Sequence, residues 1–164
     1  MKYGYFPGCS AESTARDMHQ STIAAAKALD MELIEPRGWT CCGATAGHQT
    51  DRFLSVALPA ASLAKAQDER LDMVVSCAAC YNRMKVANYE IRNSVEMRRA
   101  VSEALGRDYD GSVRVRHFLE VLLEDIGIEK IAESATQSLG GLKVACYYGC
   151  LLVRPNEVTK FDDP

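Results

Sequence analysis

Short strand-like runs alternate with longer stretches at helical spacing along this chain. Residues 2–6, KYGYF, have strand character and stop at Pro7-Gly8, a turn signal that places Cys9 just past the strand end. From residue 10 or 12 to 29, the apolar positions Ala15, Met18, Ile23, Ala26 and Leu29 follow a helical repeat. MELIEP at 31–36 reads as a second strand closed by Pro36. Residues 51–71 read as a helix bent or split at Pro59, because proline lacks the donor and crowds the preceding turn. LDMVVSC at 71–77 reads as a buried strand with Cys77 at its carboxyl end, and 81–105 as one long helix through Met84, Val86, Ile91, Val95 and Val101. Residues 111–127 predict a short extended piece running into an amphipathic helix, and 140–150 a further strand after a Gly-Gly break.

This alternation predicts an α/β fold: a mainly parallel sheet flanked by helices. The cysteine loops then fall at the carboxyl ends of the strands, where ligands bind in open α/β sheets. An internal similarity adds to the picture. KYGYFPGC at 2–9 and KVACYYGC at 143–150 both run from lysine through a strand-like stretch to Gly-Cys, a period of 141 residues. We therefore expect residues 1–140 to form one complete unit and 141–164 to hold the first strand and loop of an incomplete second.

Composition narrows the class. The chain has 164 residues, 48% hydrophobic and 25% charged, ordinary values for a folded domain. A net charge of −3 gives no reason to expect nucleic acid as a partner. The start MKYGYFPGC lacks a basic region followed by an apolar run, so no secretory signal is expected. No run of 18 apolar residues occurs, so direct membrane insertion is not expected either. The seven cysteines are an odd number with two adjacent, which argues against a closed set of disulfides. Reduced thiols in a cytoplasmic protein, serving metal or redox chemistry, are the expectation.

The spacing of those thiols carries the chemistry. Cys9 is followed after 31 residues by Cys41-Cys42, and after 34 more by Cys77 and Cys80 in CAAC. A Cys-x-x-Cys pair alone can bind one metal or close a redox disulfide. Thiols from three strand-end loops on one side of a sheet are a stronger signal. Structural zinc is satisfied by four ligands, and these are five. An iron–sulfur cluster presents several irons, each taking terminal or bridging thiolates, and its positive charge offsets theirs. The spacing differs from the tight ferredoxin runs, so it does not name a cluster type.

PGC at 7–9, CCG at 41–43 and CAAC at 77–80 resemble the Cys-x(31–39)-Cys-Cys-x(35–36)-Cys-x-x-Cys motif of the CCG-domain family. That motif occurs twice in the B subunit of heterodisulfide reductase and in related components of succinate:quinone reductases and glycolate oxidase. CYYGCLLVRP at 146–155 is most similar to the start of the second repeat in the heterodisulfide reductase branch. The second gap is one residue shorter than the family pattern. The resemblance implies that Cys9, Cys41, Cys42, Cys77 and Cys80 hold a non-cubane four-iron cluster. It also implies that Cys150 is the first ligand of a second cluster. The division above then becomes a first CCG domain at 1–140 and an incomplete second at 141–164. The implied activity is a disulfide-reducing oxidoreductase acting on a substrate such as the coenzyme M–coenzyme B heterodisulfide. Implied partners are the ferredoxin-like iron–sulfur C subunit of the reductase complex together with its flavin-bearing A subunit, and the chain alone is expected to be inactive. A zinc-stabilised binding module without redox chemistry is the competing expectation.

Other candidates carry less. His48 lies six residues beyond Cys42 and is a candidate hydrogen-bond partner of the site, although a solvated loop histidine is the simpler reading. His19 and His117 read as structural, and Trp39 as a loop anchor. Of Tyr81, Arg83 and Lys85 after CAAC, one can pair with cluster charge, with a helix surface the default. Gly43 can aim its N–H at sulfur, which raises a reduction potential. No phosphate-binding glycine loop, serine triad or paired-carboxylate site is visible.

Overall fold

The structure, a computed structural model, describes residues 1–161. Strand β1 (Lys2–Phe6) leads through a 3₁₀ turn (Cys9–Glu12) into α1 (Arg16–Ala28), then β2 (Glu32–Ile34). Next come α2 (Ala46–Thr50), α3 (Arg52–Glu69), β3 (Met73–Val75), α4 (Ala78–Asn93) and α5 (Val95–Leu105). Strand β4 (Val115–His117) is followed by α6 (Phe118–Val121), a π turn (Leu122–Ile126), α7 (Ile128–Ser134), α8 (Cys150–Val153) and α9 (Asn156–Thr159).

The four strands form one parallel sheet in the order β2-β1-β3-β4, so the expected α/β class holds. After β1 the chain moves to one side of it for β2, then crosses to the other side for β3. The crevice between the carboxyl ends of β1 and β3 is therefore a topological switch point, the place where open α/β sheets bind ligands. Cys9 and Cys77 follow those two strands.

Alternation along the strands divides the core in two. Phe6, Met73 and Val75 face α3 and α4, packing with Val56, Leu63, Tyr81, Met84 and Ile91. Tyr3 and Val74 face the other way, against Ala26, Leu29, Phe118 and Val121. Helix α3 is rich in alanine, and its buried Val56, Ala57, Ala60, Ala64 and Ala66 let it approach its neighbours closely. Its first turn is capped by Asp51, whose side chain accepts the Leu54 N–H at 2.9 Å. Pro59 does not split it: the helix is a single element of 18 residues.

Two expectations are corrected here. The long helix over 81–105 is two helices, because Ser94 is extended (φ −135, ψ 115) and its hydroxyl caps α5 by accepting the Met97 N–H at 3.1 Å. The strand expected within 140–150 does not form: residues 142–149 are irregular, and every residue from 132 to 150 is exposed. Among the described residues no strand pairs with this segment, and a strand without a partner cannot satisfy its backbone. The chain nonetheless returns to the body, as Leu152 and Val153 join the core against α4. Asn82 donates to the Arg154 carbonyl at 2.6 Å, and the Tyr81 hydroxyl to that of Thr159 at 3.2 Å.

Candidate metal centre

Three loops bring thiols to the carboxyl end of the sheet. Gly8 makes the first possible. It adopts φ 76, ψ 161, a region essentially reserved for glycine, and a Cβ there would lie 3.1 Å from the Cys80 sulfur. The second loop is bolted down by packing and hydrogen bonds. Trp39 meets Phe6 edge-on with ring centres 5.1 Å apart, as its expected anchoring role requires. The Ser62 hydroxyl accepts the Thr40 N–H at 3.1 Å and donates to the Thr40 carbonyl at 3.3 Å. Gly43 turns the chain at φ 72, and its N–H points at the Cys41 sulfur at 3.4 Å. In the third loop, Cys77 occupies the cap position of α4, and Cys80 falls in its first turn.

The five thiols expected to act together are neighbours in space. The sulfurs of Cys42 and Cys80 lie 3.1 Å apart. Electrostatic interaction also links Cys9 to Cys41, Cys41 to Cys42, and Cys80 to Cys77. The result is an unbroken succession, Cys9–Cys41–Cys42–Cys80–Cys77. Among the described residues, no three Cys, His, Asp or Glu side chains are arranged around a common centre for a single ion. All seven cysteines are free thiols. Cys42 and Cys80 are buried, Cys77 half-buried, and Cys9 and Cys41 exposed, so the site opens to solvent on the β1 side.

Proton sharing within this group is uneven. Cys77 is pulled down to about 5 by its hydrogen bond with Cys80, against the effect of burial, with help from the N–H groups of Cys80 and Ala79 and the hydroxyl of Ser10. Cys42 is lowered to about 7 by the same Cys80 thiol, again against burial. Cys80 is pushed strongly up by Cys42 and Cys77, and burial adds to this, so it keeps its proton while its partners are thiolates. Cys41 ends raised: the Gly43 N–H lowers it, but burial and the sulfurs of Cys42 and Cys9 outweigh that bond. The helix start at α4 contributes to this pattern, since free N–H groups favour negative charge there.

Some contributors were not evident from the sequence. Ser10 touches Cys77, and His117 holds the residue before it. The His117 ring accepts the Leu119 N–H on Nδ1 at 3.3 Å, so Nε2 carries the proton and donates to the Ser76 carbonyl at 3.0 Å. Burial lowers the His117 pKa and keeps the ring neutral. The position of His117 at the end of β4, beside the end of β3, is a fact of topology with no local signal. His19 is structural as expected, bonded to the Tyr5 hydroxyl at 3.0 Å. His48 lies on α2 with an exposed side chain, and its backbone N–H closes the Gly43 turn at 2.9 Å. Cys146 and Cys150 are exposed, and the contacts joining the other five do not run through either.

The donor set fits a thiolate-bound metal cluster. It is all sulfur, it mixes ready thiolates with a shared proton, and backbone N–H groups and a glycine cradle surround it. Fold and site together define an α/β domain with a cysteine centre at its switch point. Residues 3–85 match the CCG family, described as a cysteine-rich domain. The chain belongs to that family.

Full-length similarity agrees. The chain is 32% identical over 170 residues to the heterodisulfide reductase B-subunit-like protein of Archaeoglobus profundus, covering all of this chain and 57% of that protein. It is 29% identical to the B subunit of the ferredoxin/F(420)H(2)-dependent CoB-CoM heterodisulfide reductase of Methanosarcina acetivorans, over 95% of this chain and 53% of that one. It is 28% identical to the membrane anchor component of the 8-methylmenaquinol:fumarate reductase of Wolinella succinogenes, over 98% of this chain and 56% of that one. The chain thus spans a little over half the length of the curated relatives it matches. Among the described residues, no helix is long and apolar enough to cross a membrane.

Proposed function

We propose that this chain is an iron–sulfur part of a heterodisulfide reductase-like oxidoreductase that passes electrons toward a disulfide. The observation that carries the reading is the succession of five neighbouring thiols at the switch point. Cys9, Cys41, Cys42, Cys77 and Cys80 would hold a four-iron cluster of the non-cubane kind, and such a cluster supplies one-electron transfer. The chain's own groups shape the site. Gly8 lets Cys80 sit against the first loop, Gly43 aims its N–H at the Cys41 sulfur, and the α4 start stabilises thiolate at Cys77. The Phe6–Trp39 contact and the hydrogen bonds to Ser62 hold the second loop in place.

The finer assignments rest on the family resemblance and the relatives' names. The substrate is a disulfide of the coenzyme M–coenzyme B type. The electron partners are a ferredoxin-like iron–sulfur protein and a flavoprotein, the C and A components of such a reductase complex. Cys150 is the first ligand of a second cysteine set in a unit beginning near residue 141. The seven free thiols favour the reducing cytoplasm as the site of action.

The test is anaerobic reconstitution with iron and sulfide, followed by metal and sulfide analysis and visible spectroscopy. Iron and acid-labile sulfide bound together with broad visible absorption support the reading. A colourless protein that binds one zinc and no iron overturns it in favour of a zinc-stabilised module.

A further inference from the structure

Helix α4 carries two half-buried cations two residues apart, Arg83 and Lys85, and they face different surroundings. Lys85 sits over the Tyr81 ring, 5.3 Å from its centre. The charges around it are Glu120, Glu124, Arg92 and Arg114, none of them part of the thiol group. Arg83 stands three residues after Cys80, on the helix face that continues from it. Side chains on a helix lean toward its amino-terminal end, which here is the end bearing Cys77 and Cys80. The Cys80 sulfur in turn lies 3.1 Å from that of Cys42, and Cys42 acts electrostatically on Arg83.

The hydrogen bond Arg83 makes goes to a neutral group. Arg83 Nη2 donates to Asn82 Oδ1 at 2.7 Å, and Asn82 is itself held by the Arg154 carbonyl. Among the described residues, no carboxylate pairs with Arg83, whereas the buried Arg116 has two, Glu124 and Asp125. A half-buried guanidinium kept from carboxylates and pinned by an amide retains its charge for whatever lies beside it.

Building on the iron–sulfur reading above, we propose that Arg83 is a positioning residue whose fixed charge, held by Asn82 beside Cys80 and Cys42, stabilises the electron-rich state of the thiol-bound centre. The step it assists is the uptake of one electron from a reduced iron–sulfur protein or an artificial one-electron donor. No proton moves and no bond breaks at Arg83, because its guanidinium remains charged throughout. The α8 segment enters the site indirectly, through the Arg154 carbonyl that orients Asn82.

The experiment is a redox titration of the reconstituted chain, followed spectroscopically, for the parent, Arg83→Gln, Arg83→Lys and Lys85→Gln. Iron and sulfide content are measured on each sample first. Arg83→Gln is expected to weaken electron affinity about tenfold, a fall of about 59 mV for a one-electron couple. Arg83→Lys should recover most of that fall, and Lys85→Gln should leave the midpoint where it was. A midpoint unmoved by Arg83→Gln, or moved equally by Lys85→Gln, overturns the assignment while leaving the cluster reading intact. So does an Arg83→Lys shift as large as that of the glutamine variant, which also decides the matter if Arg83→Gln folds poorly. A parent chain that takes up no iron defeats the cluster reading and this proposal with it.

Discussion

Two octapeptides of this chain have almost the same pattern and opposite fates. KYGYFPGC at 2–9 is a buried strand ending in a glycine turn, whereas KVACYYGC at 143–150 is exposed, irregular chain. Aligned position by position, Phe6 corresponds to Tyr147, Gly8 to Gly149 and Cys9 to Cys150. Phe6 is 0% exposed and Tyr147 is 95% exposed. The first copy has β2 on one side and β3 on the other, so its backbone groups are paired and its side chains covered on both faces. The second pairs with no strand among the described residues. Local pattern makes a stretch eligible to be a strand, and neighbours decide the outcome.

The largest expected difference lies at the aromatic position. Phe6→Ala should remove about 3–5 kcal/mol of stability, a large share of what a domain has, because the core cannot collapse fully around the lost ring. Tyr147→Ala should change stability by no more than about 0.5 kcal/mol. Chemical denaturation of both variants measures this. Equal losses would show that the 143–150 segment is packed in solution.

Next comes the cysteine itself. Cys9→Ser should reduce the iron held after reconstitution, whereas Cys150→Ser should leave iron from the first set unchanged. Iron-to-protein ratios check the pair, and iron loss on changing Cys150 would join the two cysteine groups into one site.

The glycines give a smaller contrast. Gly8→Ala forces an alanine into a glycine-only backbone region, with its Cβ 3.1 Å from the Cys80 sulfur, and should cost about 1–3 kcal/mol. Gly149 has φ −88 and nothing within 4 Å of a Cβ, so Gly149→Ala should be neutral. Thermal unfolding of the two variants reads the difference, and a neutral Gly8→Ala would break it.

The smallest effect is a pH dependence confined to the first region. Asp125 accepts from the buried Arg116 and from the Tyr3 hydroxyl on β1, the latter at 2.5 Å. The bond with Arg116 holds the Asp125 pKa below its ordinary value. A lowered folded-state pKa contributes stability that is present above the unfolded value and is lost as pH falls through the folded one. Unfolding midpoints should therefore decline as pH falls below the ordinary aspartate value of about 4, and Asp125→Asn should lower stability at neutral pH and flatten that decline. The exposed 132–150 segment should show no matching transition in protease sensitivity. An unchanged acid slope in Asp125→Asn would remove this link from the account.

The sequence by itself determined the alternation of strands and helices and the parallel α/β class, and it singled out five cysteines as one expected set. It could do so because these are local or counting properties: strand runs end in turns, and the thiols follow the strand ends. It also placed Trp39 as an anchor and Gly43 as an N–H donor toward sulfur, since small loops leave few alternatives. It did not reveal the cap at Ser94 that divides the long helix, although Asn93-Ser94 before Val95 and Glu96 is the kind of signal a cap leaves. It also offered no local hint that Leu152 and Val153 return to α4.

Tertiary structure alone decided the rest. Strand order made the β1–β3 crevice the switch point and set His117 of β4 against the Ser76 carbonyl, across 41 residues of sequence. Along α4, Arg83 falls three residues after Cys80, whereas Lys85 packs over the Tyr81 ring. Tertiary structure also decided that one Lys-to-Cys octapeptide became a strand and the other did not. The physical reason is common to all of these. A strand, a hydrogen bond across distant residues and the field around a charge each depend on a partner that the local sequence does not contain.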